Sequence, residues 1–162
     1  MSSAAELRFR INAPNAMPRR VKVIALDPPS EIVVKHLAQL RWNNATFFTA
    51  SAFAVAPPRV GFSMQGWLSD LAGRSKDLID EASGADLVVM VATAGENAQA
   101  AALIGEACSL RRVNTTGLIL GGASATDEML ARTLAQLRPW SLMLVIANGE
   151  DYIEDMLRAL RA

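Results

Sequence analysis

The chain holds one cysteine, Cys108, and one histidine, His36, in 162 residues. A single thiol cannot close an internal disulfide, and one imidazole plus one thiol give no zinc-type ligand spacing, so a disulfide scaffold and a metal site are not expected. No apolar run reaches the roughly 18 residues of a membrane-spanning helix. No charged start leads into an apolar stretch as in a secretion signal. Excess charge of one sign is also lacking: 16 Lys and Arg balance 16 Asp and Glu. Such a chain has no strong field with which to gather nucleic acid or an anionic membrane. These absences together predict a cytoplasmic protein without nucleic-acid or membrane partners.

Several site motifs are missing as well. The first strand candidate runs into LDPPSE (26–31) where a dinucleotide-binding fold would carry Gly-x-Gly-x-x-Gly. No P-loop motif occurs. The nearest approach to a hydrolase nucleophile elbow is Gly122-Ala123-Ser124-Ala125-Thr126. There Thr126 replaces the second glycine, and His36 precedes the serine where that family's order puts histidine last. Ser124 therefore reads first as a helix cap.

What is present is a chain 51% hydrophobic, rich in alanine and in short runs of valine, leucine and isoleucine. That length and composition suit one domain with a sheet covered on both faces. Charge is unevenly placed. Residues 1–20 carry Arg8, Arg10, Arg19 and Arg20 against Glu6, and the segment is expected to be a flexible basic arm ahead of an α/β domain over 21–162.

Within 21–162, VKVIALD (21–27) is a β-branched run stopped by Pro28-Pro29, and Ser30 is the expected cap of a helix reaching Trp42. Ile32, Val33, His36, Leu37 and Leu40 share one face of that helix at helical spacing. ATFFTAS (45–51) is the second strand. Residues 52–73 fit no period and are expected to form a long packed loop with a helical turn near Trp67, placed to fold over a site. RSKDLIDEAS (74–83) reads as a helix ended by Gly84.

ADLVVMVAT (85–93) is an unalternating run and hence a central strand, followed by an alanine-rich helix over 96–112. NTTGLILGG (114–122) and SLMLVIANG (141–149) are further strands, each leading into a helix. Five strands alternating with five helices predict a single doubly wound, mostly parallel sheet of flavodoxin-like order 2-1-3-4-5. Ligands of such folds bind where the strand order reverses, at the carboxyl ends.

Three likenesses bear on function. The outline and Asp27 resemble response-regulator receivers, but Thr93 stands where their phospho-acceptor aspartate ends the third strand, and no lysine ends the fifth. A flavodoxin would place a hydroxyl-rich phosphate loop where Asp27-Pro28-Pro29 stands. GADLVVMVATAG (84–95) with its alanine-rich helix resembles the equivalent segment of tubulin-type GTPases. That likeness covers a short pattern, and Glu96-Asn97-Ala98 replace the glycine-threonine signature that should follow.

The residues left to carry function are those of the strand-end turns: Asp27; Thr93, Gly95, Glu96 and Asn97; Gly121, Gly122 and Ser124; and Asn148. Glycine admits a ligand close to the backbone, and free amides at a helix start attract polar groups. Asp27 and Glu96 make the mouth acidic, which suits a hydroxyl-rich or cationic ligand better than a bare phosphate. The first expectation is thus a small-molecule-binding α/β domain with no cofactor or catalytic residue assigned. The second is a non-catalytic interaction or assembly module, a regulatory subunit or homo-oligomer. It rests on the basic arm, on Trp42, Trp67 and Trp140 near element ends, and on the stripe Tyr152, Ile153, Met156, Leu157 and Leu160 of the last helix.

Overall fold

A computed structural model of the chain describes residues 19–50, 67–70, 75–121 and 123–162. Its centre is a parallel sheet of β1 (Val21–Ala25), β2 (Ala45–Thr49), β5 (Leu87–Thr93), β6 (Asn114–Leu120) and β7 (Met143–Ala147). All neighbours in this group are parallel, in the order β2-β1-β5-β6-β7. Counted among themselves, these strands have the expected order 2-1-3-4-5. Beyond β2 the sheet continues into two short antiparallel strands, β3 (Trp67–Asp70) and β4 (Ser75–Asp77).

Two cores follow from strand geometry, because successive side chains leave a strand on opposite faces. On one face Val23, Val89 and Leu118 pack with Val34 and Leu37 of α1 (Pro28–Ala38) and with Ile153 and Leu157 of α5 (Glu150–Ala159). On the other, Ile24, Met90 and Ile119 pack with α2 (Leu78–Ser83), α3 (Ala100–Arg111) and α4 (Asp127–Leu137) through Leu78, Ile104 and Leu137. Covering on both faces is why β5 shows no alternation: Leu87 to Ala92 are all buried.

The local elements differ from the sequence reading in four places. Helix α1 runs from Pro28 to Ala38, short of the expected Trp42, with Asp27 as its N-cap and Ser30 at the third helical position. Two prolines suit a first turn, where their missing N–H groups have no helical partner to lose. The inward stripe of α1 is therefore Ser30, Val34 and Leu37. His36 falls outside it, with a side chain 61% exposed and Nδ1 3.5 Å from Glu150 Oε2. Trp67–Asp70 is a strand rather than a helical turn, and Ser75–Asp77 is a strand leading into α2 rather than the start of that helix. Neither short segment has a strong strand composition; pairing with β2 and with each other decides their conformation. Helix α3 begins at Ala100 and not at 96, because Glu96–Gln99 complete the turn after β5. Residues 1–18 of the expected arm, and residues 51–66 and 71–74 of the expected long loop and its flanks, lie outside the described residues.

Close packing on the α3 side depends on Gly105. A Cβ there would lie 2.6 Å from Trp140 Cβ and Cε3. One turn further along, Cys108 is buried at 1% exposure, and burial pushes its thiol from the ordinary 9.0 up to about 11. The thiol thus behaves as a small apolar core group. Its contribution to stability is fully present below pH 9.0, falls as the unfolded chain ionises first, and is lost as pH rises through about 11. Urea unfolding across that window should show wild type losing stability relative to Cys108→Ala as the pH rises. Parallel pH profiles would contradict the burial effect.

Candidate functional site

Parallel strands bring all their carboxyl ends to one rim, so the turns after β1, β5, β6 and β7 lie on the same side of the sheet. Register aligns them further: Ala25 is opposite Val91, and Thr93 is opposite Leu120. At the switch point between β1 and β5, Asp27 is fully buried. Its carboxylate accepts three bonds: from Ser30 N–H at 2.8 Å and Thr93 Oγ1 at 2.9 Å on Oδ1, and from Thr93 N–H at 2.7 Å on Oδ2. Ser30 Oγ completes a capping box by accepting from Asp27 N–H at 3.2 Å.

The chemistry of Asp27 follows from that arrangement. A buried carboxylate is tolerated where charge-assisted bonds replace its water, and both oxygens are so occupied. Asp27 and Thr93 do meet, as the switch-point expectation required. Their polar groups are spent on each other and on the start of α1, which makes Asp27 a clamp between β1, α1 and β5.

The turn after β5 is pinned a second time, from α4. Gly95 N–H donates to Thr133 Oγ1 at 2.9 Å, and Ala98 N–H donates to Gln136 Oε1 at 2.8 Å. Gln136 Nε2 in turn donates to Asn97 Oδ1 at 3.1 Å, and the same oxygen accepts Gln99 N–H at 3.0 Å. Gly95 has φ +89, a backbone conformation that side-chain-bearing residues rarely adopt, so the turn itself favours glycine there.

Between this turn and α4 lies a cavity of about 430 Å³ lined by Gly95, Glu96, Asn97, Arg132, Ala135 and Gln136. Glu96 is exposed beside it, and the Arg132 side chain is 71% exposed, with a long 3.9 Å contact to Glu128. The turn after β6 sits alongside. Gly121 has φ +76, and the Cβ it lacks would stand 3.9 Å from Thr93 Cγ2 and 4.0 Å from Ser124 Oγ. Ser124 Oγ donates to Gly121 O at 3.2 Å, while Thr126 caps α4 by accepting from Met129 N–H. Gly122 lies outside the described residues. Asn148 is exposed after β7, and among the described residues no hydrogen bond joins it to this group.

Sequence reasoning missed the α4 residues. Thr133 is fully buried and Gln136 lies one turn away, so two polar side chains occupy the inward side of an otherwise amphipathic helix. A threonine between Leu130, Leu134 and Leu137 on that side was the available signal, since buried polar groups need partners. Among the described residues there is no cluster of metal-ligating side chains and no helix long and apolar enough to cross a membrane. No protein-family model and no curated protein matches the chain.

The clamp is directly testable. Asp27→Ala should cost about 2–4 kcal/mol in urea unfolding, since it removes a cap and strands buried donors. Thr93→Val should cost about 1–2 kcal/mol, and the double variant should fall short of the sum. Additive losses would mean that the two side chains do not act together.

Proposed function

We propose that this chain is a small-molecule-binding α/β domain whose ligand sits at the carboxyl rim, against the turn after β5. The observation that supports this reading is the cavity of about 430 Å³ between Gly95–Asn97 and α4. Its size falls within the roughly 300–1,000 Å³ of small-molecule sites. It borders the turn after β5, one of the two strand-end turns flanking the switch point where folds of this order bind ligands.

The lining narrows the ligand class. Glu96 supplies an anionic group, Arg132 a cationic one, and Gln136 and Asn97 orient amides nearby. A compact ligand with hydroxyl or ammonium groups on one side and a carboxylate on the other matches both charges. Nucleotides match poorly, because Glu96 in the turn after β5 opposes a phosphate there. Asp27 is committed to the clamp, so the reading is recognition, and no reaction is assigned.

Because Gly95, Ala98 and Asn97 are already bonded to α4, the wall is formed before a ligand arrives, and little ordering cost is added on binding. A thermal-shift panel of amino acids, polyols, sugars, flavins, nucleotides and acyl-CoA compounds tests the proposal. A matching zwitterion or polyol should raise Tm, with about 2.7 kcal/mol of stabilisation at a hundredfold excess over Kd. Glu96→Gln and Arg132→Ala should abolish the shift while leaving the ligand-free Tm within a degree or so of wild type, surface changes being small in effect. Silence across the panel, or a shift that survives both substitutions, would overturn it.

A further inference from the structure

The two edges of the sheet are built differently. At one end β4 is only three residues long and reads Ser-Lys-Asp. Short edge strands bearing charge are how monomeric proteins keep an edge from pairing. At the other end β7 spans Met143–Ala147, and SLMLVIANG (141–149) contains no charge and no proline. No described residue pairs with its outer side.

The exposed side chains along this edge are apolar. Leu142 is 76% exposed, Met143 40% and Ile146 43%. Alternation places Met143 on the α1 and α5 face of the sheet, and Leu142 and Ile146 on the other. Tyr152 of α5 adds a further apolar surface, at 52% exposure. Tyr152, Met156 and Ala159 share one side of α5 at helical spacing. That side is turned away from Arg158, which reaches back to Arg41 O and the Trp42 ring at the end of α1.

The backbone groups at the edge can also be placed. Leu142 N–H donates inward to Thr115 O, so Leu144 and Ile146 also point their amides toward β6. The amides and carbonyls of Met143, Val145 and Ala147 then face outward. We infer that this edge is the interface of a homodimer, in which β7 pairs antiparallel with β7 of a second copy about a two-fold axis through Val145. Val145 then faces its own counterpart, and Met143 faces Ala147 of the other copy. All the outward backbone groups are satisfied reciprocally, without a charge at any paired position.

Charge complementarity of the flanking helices favours a second copy over another occupant. Helix α4 opens on Asp127 and Glu128 and is followed by Arg138. A two-fold at β7 sets α4 antiparallel to its counterpart, so the acidic start of each copy lies toward the basic end of the other. Isologous contacts of this self-complementary kind are the commonest in oligomers. The chain's own residues 1–18 fit the edge poorly, since they carry two prolines and an excess of arginine.

Light scattering coupled to size-exclusion chromatography, with sedimentation velocity at several micromolar concentrations, tests the inference. Wild type is expected to be a dimer, and removal of residues 1–18 should leave it one. Met143→Lys/Ile146→Lys should give a monomer, with the circular dichroism spectrum and Tm of a folded chain. Val145→Pro, which removes an outward amide and spares the ladder to β6, should also give a monomer. A monomeric wild type overturns the inference and leaves the edge to a different chain. A dimer that forms only after residues 1–18 are removed overturns it in favour of self-coverage. A dimer that survives both sets of substitutions overturns it by placing the interface elsewhere.

Discussion

A single buried carboxylate organises the middle of this molecule. Asp27 ties the last residue of β5 to the first turn of α1, and it does so at the place where the strand order reverses. A free carboxylate at full burial would be strongly unfavourable, whereas one receiving three short bonds is stable and directional. The carboxylate fixes the spacing of the β1 and β5 ends. From that fixed point the turn after β5 runs on to Gly95 and Asn97, where Thr133 and Gln136 take over. The cavity adjoins that second set, lined by Gly95, Glu96 and Asn97 of the turn and by Arg132, Ala135 and Gln136 of α4.

The parallel sheet was legible in the sequence for a physical reason. Strands covered on both faces must be apolar at successive positions, and ADLVVMVAT and NTTGLILGG state that directly. Turn residues at each carboxyl end then separated strand from helix. The two short antiparallel strands were not legible, because WLSD and SKD have little strand composition of their own and gain their conformation from pairing, WLSD with β2 and SKD with WLSD. The face of α1 was misjudged as well. Ile32, Val33, His36, Leu37 and Leu40 match helical spacing, but the side that the sheet covers runs through Ser30, Val34 and Leu37 and leaves Ile32 and Leu40 exposed.

The candidate site was legible in part. Asp27 with Thr93, and Gly95 with Glu96 and Asn97, occupy one rim, as parallel strands with turns at their carboxyl ends require. Their division of labour was not visible, since a capping aspartate and a ligand-binding aspartate look alike until the donors around them are known. Thr133, Gln136 and Arg132 come from a helix more than thirty residues further along the chain, and only the crossover after β6 carries them to the turn. The β7 edge belongs to the same class of feature: SLMLVIANG reads as a strand whether it is central or terminal, and only sheet order shows that, among the described residues, one side has no neighbouring strand.

Asp27 holds the switch point closed in the native state. Amide hydrogen exchange under native conditions tests it most directly, because local opening and global unfolding are distinguished residue by residue. The amides of Ser30 and Thr93 should exchange only with global unfolding, with the same denaturant dependence as the buried strand amides of β5. Rapid, denaturant-independent exchange at those two amides would mean that the clamp opens locally, and would contradict the account.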